Sequence, residues 1–61
     1  MKRLQVLING EWQYVFCKNE LRNTPITTKD KSKAIREKYG DGERILESFK
    51  RQYGNLNFKL V

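Results

Sequence analysis

The sequence predicts one small α+β domain, covering residues 1–61, in which a small, mostly antiparallel sheet is covered on one face by helix. Two observations predict this two-layer class. Residues 4–17 contain two alternating apolar and polar runs separated by Asn9-Gly10, which is the pattern of a β-hairpin. The second half of the chain has apolar residues at helical spacing, followed by a last alternating run. The predicted order of elements is therefore β-β-(β)-α-α-β.

The charge and the length of the chain limit the functional classes. The formal net charge is +6, which favours polyanionic partners and also keeps a small protein soluble. A chain of this size buries only about 60% of the surface that its unfolded form exposes. We therefore expect nearly every large apolar residue to lie in the core or in an interface.

The rare residue types exclude several kinds of site. The sequence has no histidine and one cysteine, so neither a Cys/His zinc site nor an internal disulfide framework is expected, and a reducing compartment is favoured. No run approaches the roughly 18 apolar residues of a membrane-spanning helix. The chain also starts directly with an alternating strand rather than a signal peptide. We expect a cytoplasmic protein with no membrane segment, no metal and no cofactor.

The register of the hairpin decides which side chains enter the core. Residues 3–8 carry an aliphatic row, and residues 11–17 carry an aromatic row. A two-residue turn at Asn9-Gly10 would place these two rows on opposite faces, whereas a slip of one residue would bring them together. We therefore predict a three-residue loop with Gly10 in the left-handed region and a bulge. The predicted inner face then consists of Leu4, Val6, Ile8, Trp12, Tyr14 and Phe16.

After the hairpin, we predict a polar loop over residues 18–25 and a short third strand over residues 26–28. The segment Thr27-Thr-Lys-Asp30 matches the [ST]-x-x-[DE] capping box that opens a helix. This first helix is predicted to run to about Tyr39 and to end at Gly40.

A second helix is predicted over residues 43–53, with Asp41 as its N-cap, because apolar residues recur there at helical spacing. Residues 56–61 form the last predicted strand. It returns to the hairpin over the helices, and we predict that it lies parallel to the first strand. The apolar face of the second helix is formed by Ile45, Leu46, Phe49 and Tyr53.

The residue types give little support for catalysis. Without histidine, neither a Ser-His nor a Cys-His pair can form. Cys17 is expected to be a structural thiol, since nothing in the sequence indicates a lowered pKa. Glu43 and Glu47 are spaced i,i+4, but they are expected to lie on a solvated helix face. We therefore expect a protein that is not an enzyme.

A basic stripe on the first predicted helix is one candidate binding site. Lys29, Lys33 and Arg36 fall at i, i+4 and i+7, and they would form one positive face. The start of the helix would offer free backbone N–H groups to a phosphate. A merely solvated face is the alternative.

The outer face of the predicted sheet is a second candidate site. Arg3, Gln5 and Gln13 would project from adjacent strands, and arginine and glutamine are residue types that contact phosphates and base edges. Apolar residues share that face, so a protein partner or a homodimer is the alternative, either there or along an edge strand. These apolar residues are Leu7, Val15 and Val61.

Part of the sequence resembles a known class of DNA-binding domain. The order Gly10-Glu-Trp12-x-Tyr14-x-Phe16, a polar loop and Thr27-Thr-Lys-x-x-x-Lys-Ala34 is similar to the three-stranded sheet and helix of phage integrase arms and of a family of plant transcription factors. The resemblance covers about half of the chain and implies a sheet that binds in the major groove. The chain departs from that class in its second helix and its last strand.

Our leading interpretation is a small non-enzymatic protein that binds DNA or RNA through the basic stripe and the polar sheet face. Because the aromatic row is predicted to be core, we do not expect it to stack on bases. The alternative is a protein-interaction module or homodimer.

Overall fold

A computed structural model describes residues 2–36, 40 and 42–61 of the chain. The described residues form a four-stranded antiparallel sheet, together with one α-helix and a short 3-10 helix at Lys31–Lys33. In the sheet, the first strand of the chain lies between the second and the fourth, and the third strand is at the edge beside the second. The predicted α+β class is confirmed. The elements are β1 (Leu4–Ile8), β2 (Glu11–Cys17), β3 (Ile26–Thr28), α1 (Glu43–Gln52) and β4 (Phe58–Leu60).

The hairpin between β1 and β2 has a two-residue turn. Asn9 and Gly10 have φ angles of 51° and 78°, and Ile8 pairs directly with Glu11. Positive φ at both central positions is characteristic of a type I′ turn, whose twist matches that of the strands. The predicted three-residue loop is therefore wrong. The β-bulge of this sheet lies instead between Val15 and Cys17, in the pairing of β2 with β3.

This register separates the aliphatic row from the aromatic row. Trp12 pairs with Leu7 and Tyr14 pairs with Gln5. Since directly paired residues share a face, the aromatic row lies on the face opposite to Leu4 and Val6. The aromatic residues of β2 are therefore not in the core, contrary to the prediction.

The core lies between the other face of the sheet and α1. It includes Leu4, Val6 and Val15, each at most 1% exposed. Its aromatic volume comes from Phe49 and Tyr53, at the end of the helix, and from Phe58 of β4, with ring centroids 5.9 to 6.3 Å apart. Three rings thus fill the space that the sequence analysis assigned to the aromatic row. Val15, predicted to lie on the outer face, is buried.

The first predicted helix is not formed over residues 28–36. Thr28 belongs to β3, and Ala34 is extended with a ψ of 139°. Asp30, rather than Thr27, caps the short 3-10 helix, and its Oδ1 accepts hydrogen bonds from the Ser32 hydroxyl at 2.7 Å and the Ser32 backbone N–H at 2.9 Å. These bonds lower the pKa of the Asp30 carboxyl. Local hydrogen bonds of this kind compete with helix, and the apolar stripe is too thin to compensate.

The last part of that predicted helix, residues 37–39, lies outside the described residues. Immediately before it, the chain returns to the sheet. The backbone N–H of Ile35 donates to the carbonyl of Val15 at 2.7 Å, beside the bulge of β2, and Ala34 is buried.

The second predicted helix is confirmed as α1, and its N-cap position is Gly42; the predicted cap, Asp41, lies outside the described residues. The last strand is confirmed, but its predicted direction is wrong. β4 is antiparallel to β1, with Leu4 opposite Leu60 and Val6 opposite Phe58. The right-handed crossover rule applies to connections between parallel strands. Here α1 belongs to the segment of chain that connects β3 to β4, and these two strands run in opposite directions.

Three glycines give a graded test of this backbone. Gly10 has positive φ but open space around it, whereas a Cβ on Gly42 (φ 88°) would lie 3.1 Å from Cδ2 of Leu60. We expect Gly10→Ala to cost about 1 to 2 kcal/mol from backbone strain alone, and Gly42→Ala to cost more because of the added contact. Gly54→Ala is the control, since its Cβ would meet only an ordinary contact at 3.9 Å. Urea denaturation measures the three values, and equal costs at Gly10 and Gly42 would contradict the packing of β4 against the start of α1.

Candidate functional site

The sheet has one face turned away from α1, here called the outer face. Strand alternation and the observed register, including the bulge of β2, assign eleven side chains to it, and none of these eleven belongs to the core cluster or packs against it. The outer face consists of Arg3, Gln5, Leu7, Trp12, Tyr14, Phe16, Cys17, Ile26, Thr28, Lys59 and Val61.

The aromatic row of β2 is the most unusual feature of the outer face. Trp12 is 37% exposed and Phe16 is 47% exposed, with the half-buried Tyr14 between them. Ile26, on the neighbouring strand, is 43% exposed. A contiguous exposed apolar patch is a candidate surface for a partner or ligand. The location of the row follows directly from the type I′ turn.

A lysine lies against the tryptophan of the aromatic row. The Nζ atom of Lys59 is 4.1 Å from the centroid of the Trp12 ring, a close cation–π contact. In the register, Lys59 is opposite Gln5 on β1, and Gln5 is opposite Tyr14 on β2, so Trp12 lies two residues along β2 from the position directly across. The lysine side chain therefore extends across β1. It places a positive charge over the Trp12 ring. This contact could not be predicted from the sequence pattern.

The charge of the outer face has one sign. Two of its eleven side chains, Arg3 and Lys59, are basic, and none of the eleven is acidic. Two exposed lysines continue this charge along the chain, since Lys2 precedes Arg3 and Lys29 follows β3. A surface of this kind combines flat apolar rings with cations, so it suits a ligand that offers both flat rings and negative charge.

The residues predicted to bind nucleic acid do not all come together. Arg3 and Gln5 lie on the outer face. Gln13 does not, because it pairs with the buried Val6, and its Oε1 accepts a hydrogen bond from the Thr27 hydroxyl at 2.5 Å.

The predicted basic stripe is also not formed. Lys29, Lys33 and Arg36 are all exposed, but the segment that contains them lacks an α-helix. Their i, i+4, i+7 spacing therefore does not define a common face.

Lys59 and the aromatic row were not predicted from the sequence to be surface residues of the site. The Asn-Gly dipeptide was the available signal, because it is the strongest short-range indication of a two-residue turn. The alternative interface is also altered by the structure. Leu7 and Val61 remain on the outer face, but Val15 is in the core. The sheet edges are the short strands β3 and β4, each of three residues.

Other kinds of site find little support among the described residues. They contain no group of three or more histidine, cysteine or acidic residues that could hold a metal ion. None of the helices they form is long and apolar enough to span a membrane. A polar groove beside Tyr53 encloses about 260 Å³, just below the usual range for ligand pockets, and it lacks their apolar lining.

The chain matches no protein-family model, no curated protein and no solved structure in comparisons of its sequence and fold. The resemblance to sheet-and-helix DNA-binding domains therefore stays a prediction, and the geometry of the outer face is the basis for the function proposed below.

Proposed function

We propose that this protein is a small non-enzymatic nucleic-acid-binding protein that uses the outer face of its sheet. The observation that carries the proposal is the exposed aromatic row of β2 with Lys59 over the Trp12 ring. Stacking on aromatic rings and neutralisation of phosphates by lysine and arginine are the two main contributions to binding of nucleic acid by a sheet surface.

The overall charge supports the same function. A net charge of +6 on 61 residues raises the local concentration of a polyanion and the rate of its association. In the proposed complex, Arg3 and Lys59 would contact phosphates, and Gln5, next to both, would offer a donor and an acceptor to a base. A reducing compartment such as the cytoplasm suits the protein, because Cys17 is a free cysteine.

The salt dependence of binding tests this proposal. The binding is measured by fluorescence anisotropy with labelled DNA and RNA, both single-stranded and duplex. The affinity is expected to fall steeply between about 50 and 200 mM salt, as is typical of binding through phosphate contacts. Lys59→Gln should lower the slope of log K against log salt by about 0.7 to 0.9, the value for one phosphate contact.

Lys50→Gln is the matched control for this measurement. Lys50 is an exposed lysine of α1, in the other layer of the domain, so its replacement changes the net charge equally without changing the outer face. Absence of binding to any of these nucleic acids at low salt would overturn the proposal. An equal effect of the two substitutions would move the site away from the outer face.

A homodimer through the outer face is the second candidate. It is favoured by the exposure of three apolar side chains, Phe16, Ile26 and Val61, each between 43% and 47% exposed. Sedimentation equilibrium would then show a dimer that Leu7→Glu dissociates. A monomer at all accessible concentrations would exclude this candidate.

A further inference from the structure

We infer that the ligand of the outer face is single-stranded nucleic acid, whose bases stack on Trp12 and its neighbours in the aromatic row while Lys59 moves from the Trp12 ring to a phosphate. The inference rests on the proposed function and specifies its ligand.

The spacing of the aromatic row favours a single strand. Side chains two residues apart on one strand, such as Trp12 and Tyr14, are separated by about 6.6 to 6.8 Å. Bases in a duplex follow one another at about 3.4 Å along each strand. Two neighbouring bases can therefore stack on these two rings only when they are spread apart. Paired bases in a duplex are stacked on each other and present their edges, not their ring faces.

The width of the sheet gives a second argument. Four strands at about 4.8 Å spacing place the outermost axes about 14 Å apart. The major groove is about 12 Å wide and admits a two-stranded ribbon. The exposed rings Trp12 and Phe16 lie on the second strand from one edge, β2. If β2 entered the groove with one neighbouring strand, the other two strands of the sheet would stay outside it. A flexible single strand has no such restriction.

In the absence of ligand, the cation–π contact covers the ring face of Trp12 on which a base would stack. The Lys59 ammonium covers the ring face of Trp12 at 4.1 Å, which is a weak contact at an exposed site. A base stacked on the ring is expected to contribute more than the lysine does. Since the Lys59 side chain extends across β1, its ammonium would remain close to the Trp12 ring after a base displaces it. The phosphate of the stacked nucleotide would lie within reach of the ammonium at that position. The exchange thus replaces one weak contact with a stacking contact and an ion pair.

The chain contains a single tryptophan, so its fluorescence reports on Trp12 alone. Titration with an eight-nucleotide oligothymidylate is expected to quench this fluorescence and to give an affinity at least about 10-fold higher than that for a 20-base-pair duplex at the same salt, within the range for stacking of one or more bases. An eight-residue strand of abasic sites carries similar charge without bases. It should bind at least about 10-fold more weakly than the oligothymidylate.

Variants separate stacking from charge. Trp12→Ala is expected to reduce affinity for the oligothymidylate about 10-fold or more, with little change for the abasic strand. Trp12→Phe should retain most of the affinity. Leu21→Ala, at an apolar position that is 94% exposed in the loop between β2 and β3 and lies outside the outer face, is the control and should bind as the parent protein does. Circular dichroism of each variant checks that the fold is retained.

The outcomes distinguish the inference from the proposed function. Equal affinity for single strand and duplex, or oligothymidylate binding that leaves Trp12 fluorescence unchanged, overturns the inference while the nucleic-acid function stands. Absence of binding to every strand overturns both.

Discussion

Replacement of Val15 by aspartate is expected to unfold this protein, whereas the same replacement at the next residue, Phe16, is expected to leave it folded. Val15 is fully buried in the core, and Phe16 is about half exposed on the outer face. A carboxylate at position 15 would be buried without a partner, and we expect a cost of at least about 4 kcal/mol. At position 16 the charge would remain in water, and the cost is expected to be about 1 kcal/mol, from lower strand propensity.

The pair of substitutions also tests function. Phe16→Asp removes a ring and adds a negative charge to the outer face, so the folded variant should bind nucleic acid more weakly than the parent protein. Circular dichroism and thermal denaturation measure the fold, and anisotropy measures the binding. The predicted three-residue loop would give the opposite result for stability, since it buries Phe16 and exposes Val15. A folded Val15→Asp protein would therefore contradict the observed register.

Truncation of Phe49 to alanine is expected to have a comparable effect on stability. Phe49 is 2% exposed and contacts the rings of Tyr53 and Phe58 at centroid distances of 6.0 and 5.9 Å. Lys18 extends over the same ring at 5.4 Å and donates to the Ser48 hydroxyl. Loss of a buried phenylalanine typically costs about 3 to 5 kcal/mol, through lost transfer energy and the cavity left behind.

That cost is large compared with the whole stability of the domain, which is expected to be about 3 to 9 kcal/mol for a chain of this length. Phe49→Ala should therefore be largely unfolded or only marginally stable at 37 °C. Phe49→Leu is the control, because it keeps most of the apolar volume and should remain folded. Urea denaturation followed by far-ultraviolet circular dichroism measures the difference, and a loss below about 1 kcal/mol for the alanine variant would contradict the central position of this ring.

Local patterns in the sequence were sufficient for most elements of the fold. The two alternating runs predict β1 and β2, and the apolar spacing of Ile45, Leu46 and Phe49 predicts α1. In these segments the periodicity, the residue propensities and the later packing all favour the same structure. The outer face was predicted only in part, through Arg3, Gln5, Leu7 and Val61.

The errors arose where the prediction depended on distant residues. The hairpin register was chosen on the premise that the largest rings must enter the core. That premise fails because Phe49, Tyr53 and Phe58 already occupy it, at sequence distances of more than 30 residues from the hairpin. The local turn signal at Asn9-Gly10 was the better guide. The contact of Lys59 with Trp12 likewise joins residues that only the sheet order brings together.

The pairing of β4 with β1 has a consequence for how the chain folds. Leu4 pairs with Leu60 and Val6 with Phe58, so the first strand of the sheet finds one of its neighbours only at the far end of the chain. The hairpin of β1 and β2 has local contacts and can form early, but an isolated hairpin is marginally stable. We therefore expect the core to form only after β4 has left the ribosome and paired with β1. The whole domain would then fold in one late cooperative step.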